Sequence, residues 1–125
     1  SMRQSTTTIS GSQKNILAYA QHFLSVNIKA TKTVITASLV NGILEAGTLI
    51  AADGSVAVTT GGTPATTNVF GVLLEDIDFN NSNGTEILPV VIHGFVKEAS
   101  VKFAAAEVTN GKAAEKAAMN MIKFL

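Results

Sequence analysis

Between residues 33 and 98 the chain is cut into short apolar runs by glycine-bearing turn signals, and this spacing limits the fold more than any other feature. The cuts fall at Asn41-Gly42, at Asp53-Gly54, in the 60–67 stretch TGGTPATT and in the 80–86 stretch NNSNGTE. Asn-Gly and Asp-Gly reach positive φ at low steric cost, which tight reversals between strands require. The runs between them are rich in β-branched residues: Thr33 to Leu39, Ile43 to Ile50, Val56 to Thr59, Val69 to Phe79 and Ile87 to Val96. Leu24, Val26 and Ile28 add an alternating run upstream. Such residues suit a pleated, half-buried surface. Short strands broken by turns about every ten residues predict a small antiparallel β-barrel or sandwich over about residues 24–98. Pro89 cannot donate to a ladder, so it is expected at an edge or at a strand's start.

The period changes in the last quarter. Val101, Ala104, Ala105 and Val108 recur at helical spacing, as do Ala114, Ala117, Ala118 and Met121. Thr109-Asn110-Gly111 lies between the two stripes and is expected to end the first. One or two short helices are therefore predicted between about residues 99 and 119. The closing MIKFL alternates at Ile122 and Phe124, which predicts a last short strand. The expected fold class is mainly β, turning α+β at the C-terminus.

The 125 residues suit one domain. Residues 1–15, SMRQSTTTISGSQKN, hold little that could offset their ordering entropy, so they read as a flexible N-terminal arm. Residues 16–125 form the single β-rich body. Charged residues make up only 14% of the chain, and a surface so poor in charge is cheap to cover with another protein. Net charge is zero and Arg3 is the only arginine, so no cluster of cations is available for a phosphate backbone. Nucleic acid is not an expected partner. The longest uninterrupted apolar run, Ile16 to Ala20, is far too short to span a bilayer, so a membrane is not expected either. Cysteine is absent, which removes disulfides and thiol chemistry.

Motifs for chemistry are sparse. His22 and His93 belong to no metal-ligand pattern. Asp76, Asp78 and Asn80 open like a calcium loop, but Asn81 stands where glycine is needed and Ile87 where the closing glutamate belongs. They read as a solvated strand end. Gly61-Gly62 and Asn110-Gly111-Lys112 fit no phosphate-loop pattern, and no serine sits in a nucleophile elbow. Glu75, Asp76 and His93 could be assembled into an acid–base set, but no spacing fixes their geometry. The two sequons at Asn80 and Asn83 read as turn chemistry. No catalytic, cofactor-binding or metal-binding residue is assigned, and no enzyme is expected. The competing reading is a small β-rich carrier or protein-interaction module of bacterial origin. A carrier presents a lysine at a hairpin tip, whereas Asn41-Gly42, Asp53-Gly54 and Asn83-Gly84 carry none.

An ordered set of motifs runs from Gly42 to Leu125. It comprises Gly42, Gly47-Thr48, Asp53-Gly54, the run from Val69 to Asp78 (VFGVLLEDID), a tip ending Gly84-Thr85, and the run from Val90 to Val96 (VVIHGFV). A short helical segment and an apolar terminal strand follow. This order resembles the phage head decoration and head fiber protein families. The resemblance implies a β-tulip-like domain and a homotrimer on the outer capsid surface, in contact with the major capsid protein. It implies no cofactor. It also implies an N-terminal arm that orders against the shell, with Thr6, Thr7, Thr8, Ile9 and Ser10 as the candidate capsid-binding residues. The expected location is the virion capsid surface, with the host cytoplasm occupied during assembly.

Overall fold

A computed structural model describes residues 15–125. The chain is mainly β with two short helices. Its principal sheet is built around one long strand, β8 (Thr85–Val96), whose ten turn-free residues from Ile87 onward follow the apolar run read from the sequence. β1 (Phe23–Thr31) pairs antiparallel along most of β8. On the other side β6 (Val69–Leu73) pairs with Val90 and Val91, and β3 (Leu49–Ala51) pairs with β6, giving the order β1-β8-β6-β3. The expected terminal strand exists as β9 (Ile122–Phe124), but it lies parallel to β8 at Gly94–Val96, so the sheet is mixed. Two small ribbons flank it: β2 (Ile43–Leu44) with β7 (Ile77–Asp78), and β4 (Thr59–Thr60) with β5 (Thr66–Thr67).

The expected barrel does not close. β1 and β3 remain edge strands with no ladder between them. The Asp53-Gly54 turn after β3 instead reaches across to β1. Gly54 has φ +90°, and any Cβ there would overlap the Lys29 carbonyl oxygen. A three-residue β3 is too short to zip against a nine-residue partner, so a turn contact replaces the ladder. Pro89 corrects another expectation, since it is the fifth residue of the central strand. Its carbonyl accepts from Leu74 N at 2.9 Å, so its nitrogen faces the β6 side just past Leu73, where β6 has ended. The missing N–H is the one that would return the bond to Leu74, so the ladder with β6 stops here.

Alternation along β8 sends adjacent residues to opposite faces and so into two cores. Val91 and Val96 join Ile16, Leu17, Leu49, Val72, Met119 and Ile122 in the first. Leu88 and Val90 join Ala30, Ile35, Leu44, Ile50, Leu73 and Phe79 in the second. A register shift opposite Leu24/Ser25 leaves Ile92 without a partner on β1, and this bulge lets both Val91 and Val96 face the first core.

Several local expectations need correction. The run from Thr33 to Leu39 is not a strand. It forms α1 (Lys32–Ile35) and a 3-10 turn (Thr36–Ser38). Only Ile35 is buried there, and the Thr36 hydroxyl donates to the Lys32 carbonyl at 2.6 Å, closing the helical turn. The Asn41-Gly42 turn is present, with φ 54° and 81° and reciprocal bonds between Val40 and Ile43, but it closes only a single bridge. Val56 bridges Ile50 singly, and the short strand expected there begins at Thr59. The run from Val69 to Phe79 breaks after Leu73, because Pro89 has no N–H to return the bond it accepts from Leu74 N, and Asp76 Oδ1 accepts from Ala46 N at 2.7 Å.

The Val101–Val108 stripe is not helical. Residues 98–100 form a 3-10 turn, after which Val101 and Phe103 both pack on the first core at strand-like spacing. Lys102 N then bonds Gly47 O, and Gly47 leaves room for the Ser100 carbonyl that a side chain would occupy. The second stripe does form a helix, α2 (Gly111–Ala118), but it buries Gly111 and Glu115, followed by Met119, rather than the alanines. Ala117 and Ala118 are exposed, and so is Met121. Asn110, left-handed at φ 58°, opens this helix rather than ending an earlier one.

Candidate interaction surfaces

The candidate arm residues Thr6, Thr7, Thr8, Ile9 and Ser10 lie outside the described residues. The described chain starts at Asn15, whose side chain accepts from Leu17 N at 3.1 Å, and Ile16 is already fully buried. It enters the fold beside the end of β8. Lys97 N donates to Ile16 O at 2.8 Å, Ala18 N donates to Phe95 O at 2.9 Å, and Leu17 bridges Val96.

That end of the sheet is also where apolar side chains meet water. Tyr19 packs edge-on against Phe95, with ring centroids 5.2 Å apart. Phe23 stands opposite Gly94 and Leu24 opposite His93. Met121 O accepts from Gly94 N, and Leu125 N donates to Val96 O. Tyr19, Phe23, Leu24, Met121 and Leu125 are five of the ten exposed large hydrophobic residues in the described chain. Gly94, at φ 140°, leaves no space for a side chain against Phe23 and the His22 carbonyl, which holds the two segments together. His22, His93, Lys97 and Lys123 surround this end and are exposed. Tyr19, Phe23 and Leu24 lie on the β1 side of this end and Met121 and Leu125 on the β9 side, and exposed apolar groups at one end of a sheet mark an interaction surface more often than the same groups scattered singly.

A second apolar area lies over α2. Ala113, Ala114, Ala117 and Ala118 with Pro64 and Ala65 line an open depression of about 650 Å³. It is shallow because its lining side chains are mostly methyl groups.

The residues weighed for chemistry do not converge. Asp76 is tied to Ala46 N, and Asp78 Oδ1 accepts from the backbone and side-chain nitrogens of Asn80. Among the described residues no three His, Cys, Asp or Glu side chains gather as a metal set, and no helix is long and apolar enough to cross a membrane. Lys112 is engaged with Lys116 on Glu98, at 2.9 and 2.7 Å, with both ammoniums over the Phe103 ring. Lys116 first and Lys112 second pull the Glu98 carboxyl down to about 2.

One polar centre was missed in the sequence. Glu115 is 3% exposed and accepts from Thr59 Oγ1 at 2.6 Å and from Ala104 N at 2.8 Å. It ties α2 to β4 and to the extended 101–104 segment. The signal was the row Gly111, Glu115, Met119 at i, i+4, i+8, which outranks the alanine stripe once close packing at Gly111 is considered. Neither a family model, nor a curated protein, nor a solved structure matches this chain.

Proposed function

We propose that the chain is a non-enzymatic phage structural protein that coats the outer surface of a capsid as a homotrimer. The observation that carries this reading is where the arm attaches. The polar 1–15 stretch joins the body at Ile16, at the sheet end that gathers Tyr19, Phe23, Leu24, Met121 and Leu125. The arm and this apolar end would together supply the contacts toward the major capsid protein. An extended Thr-rich segment adds to a sheet edge through main-chain hydrogen bonds and needs no deep pocket. Three linked copies turn modest single-site affinity into firm attachment. The ordered motifs from Gly42 to Leu125 and the low charge support the same reading.

The test is deletion of residues 1–14. Capsid shells of the encoding phage, assembled without the native copy, are mixed with full-length or truncated protein and sedimented. Full-length protein is expected to co-sediment and the truncated protein to stay in solution with its melting temperature nearly unchanged. Undiminished co-sedimentation of the truncated protein would refute the arm's role. Failure of the full-length protein to bind any such shell would refute the capsid reading itself.

A further inference from the structure

Beneath α2 a charge is buried without an ion-pair partner. The three ion pairs among the described residues join Lys102 to Glu45 and Lys112 and Lys116 to Glu98, and none reaches Glu115. Each Glu115 oxygen takes one neutral donor, Ala104 N on Oε1 and Thr59 Oγ1 on Oε2. A carboxylate offers about four acceptor sites, so about half of its capacity is unused. Holding such a group away from water is costly unless a counter-charge compensates it.

Glu115 lines a cavity of about 350 Å³. Leu49, Val56 and Ala57 form an apolar wall, and Glu45 and Lys102, paired at 2.6 Å, stand in the same lining. Glu115 is the carboxylate of this lining that sits buried on two neutral donors. The volume falls at the small end of the range for ligand pockets.

We propose that this cavity binds a primary alkylammonium, with its nitrogen on Glu115 and its short alkyl chain against Leu49, Val56 and Ala57. A metal ion would need several converging oxygen or nitrogen ligands, and among the described residues no three His, Cys, Asp or Glu side chains gather as such a set. A guanidinium needs both carboxylate oxygens in one plane for its fork, and each of these already holds a donor from a different segment. A compact ammonium with three rotatable donors can use the remaining lone pairs singly. The ammonium could belong to a free amine or to a lysine side chain of another protein. The site does not depend on the capsid reading.

The experiment is a titration of the ¹⁵N-labelled full chain with n-butylammonium chloride to about 100 mM, at constant ionic strength, followed by amide chemical shifts. Saturable shifts centred on Thr48, Thr59 and Ala104 are expected, with half-saturation in the millimolar range. Glu115→Gln keeps the shape but removes the charge and should weaken binding by about tenfold or more. Ala57→Leu fills the wall while leaving the carboxylate, and should weaken binding as well, so the test survives if the first variant folds poorly. Repeating the titration with Nα-acetyl-lysinamide separates the sources. Binding of both probes points to a protein lysine, and binding of butylammonium alone points to a free amine. Shifts that rise linearly without saturation, or that persist unchanged in both variants, would overturn the proposal.

Discussion

Replacing Gly54 with alanine tests whether a turn contact, rather than a ladder, holds the curl of the sheet. Two penalties act at this position. The backbone sits at φ +90°, which costs an L-residue about 1–3 kcal/mol. The added Cβ would also overlap the Lys29 carbonyl oxygen and crowd Ala30 Cα at 3.3 Å, and backbone cannot swing aside as a flexible side chain does. Crowding of this kind costs about 1–3 kcal/mol more. Gly84 supplies the control. It has φ +108°, but a Cβ there meets nothing within 4 Å, so only the conformational penalty applies. Gly84→Ala should therefore lose about 1–3 kcal/mol, and Gly54→Ala about 2–6 kcal/mol. Urea denaturation followed by circular dichroism measures both, and losses of this size are a large part of a typical domain's total stability of about 5–15 kcal/mol. Equal destabilisation by the two variants would refute the argument, because the contact with the β1 edge would then carry no energy.

Two further outcomes follow from the polar contacts. Glu115→Ala strips the acceptor from Ala104 N and Thr59 Oγ1 and should cost about 2–4 kcal/mol in the same unfolding assay. Glu115→Gln should cost about 1 kcal/mol, because its amide can donate to Thr59 Oγ1 while that hydroxyl turns to Thr67 Oγ1, 2.9 Å away. Equal losses would show that the charge, which both variants remove, and not the shape or the acceptor that only alanine removes, sets the contribution. Glu98 governs part of the acid response. Its folded-state pKa is held near 2, below its ordinary 4.5, so its contribution is present above about 4.5 and is lost as pH falls toward 2. Glu98→Gln should flatten the acid limb of the stability profile across that window, and thermal melts at stepped pH would show it. The effect is small because the three charges are partly exposed.

The turns were legible because glycine and asparagine report backbone conformation directly. Asn41, Gly42, Gly54 and Gly84 all have positive φ. The long run from Ile87 to Val96 was legible because a strand buried on both faces reads as continuous apolar sequence. What stayed hidden depended on contacts distant in the chain. The run around Val34 has the composition of a strand, but it follows β1 directly, and the Thr36–Lys32 bond closes a helical turn there. The helical spacing of Val101, Ala104, Ala105 and Val108 omitted Phe103, which meets Phe124 with ring centroids 5.1 Å apart and fixes an extended course. Alanines misled at α2 because methyl groups bury little area, and Gly111 and Met119 set the inward face instead. The apolar sheet end could not be read locally. Met121 is about a hundred residues from Tyr19 and Leu24, and their segments reach the same end of the sheet only because β1 and the parallel β9 both pair with β8.

Sharing β8 between two cores has a consequence for how the molecule comes apart. Val90 and Val91 are covalent neighbours, yet each belongs to a different apolar cluster. Neither cluster can melt while its half of the strand stays in place without exposing the back of the other. The two should open as one cooperative unit, and the amides of β8 should exchange with solvent at nearly the same slow, global rate. The β4–β5 ribbon, whose residues belong to neither apolar cluster, is free to open earlier. A strand that serves both faces therefore turns a thin sheet into a single thermodynamic block.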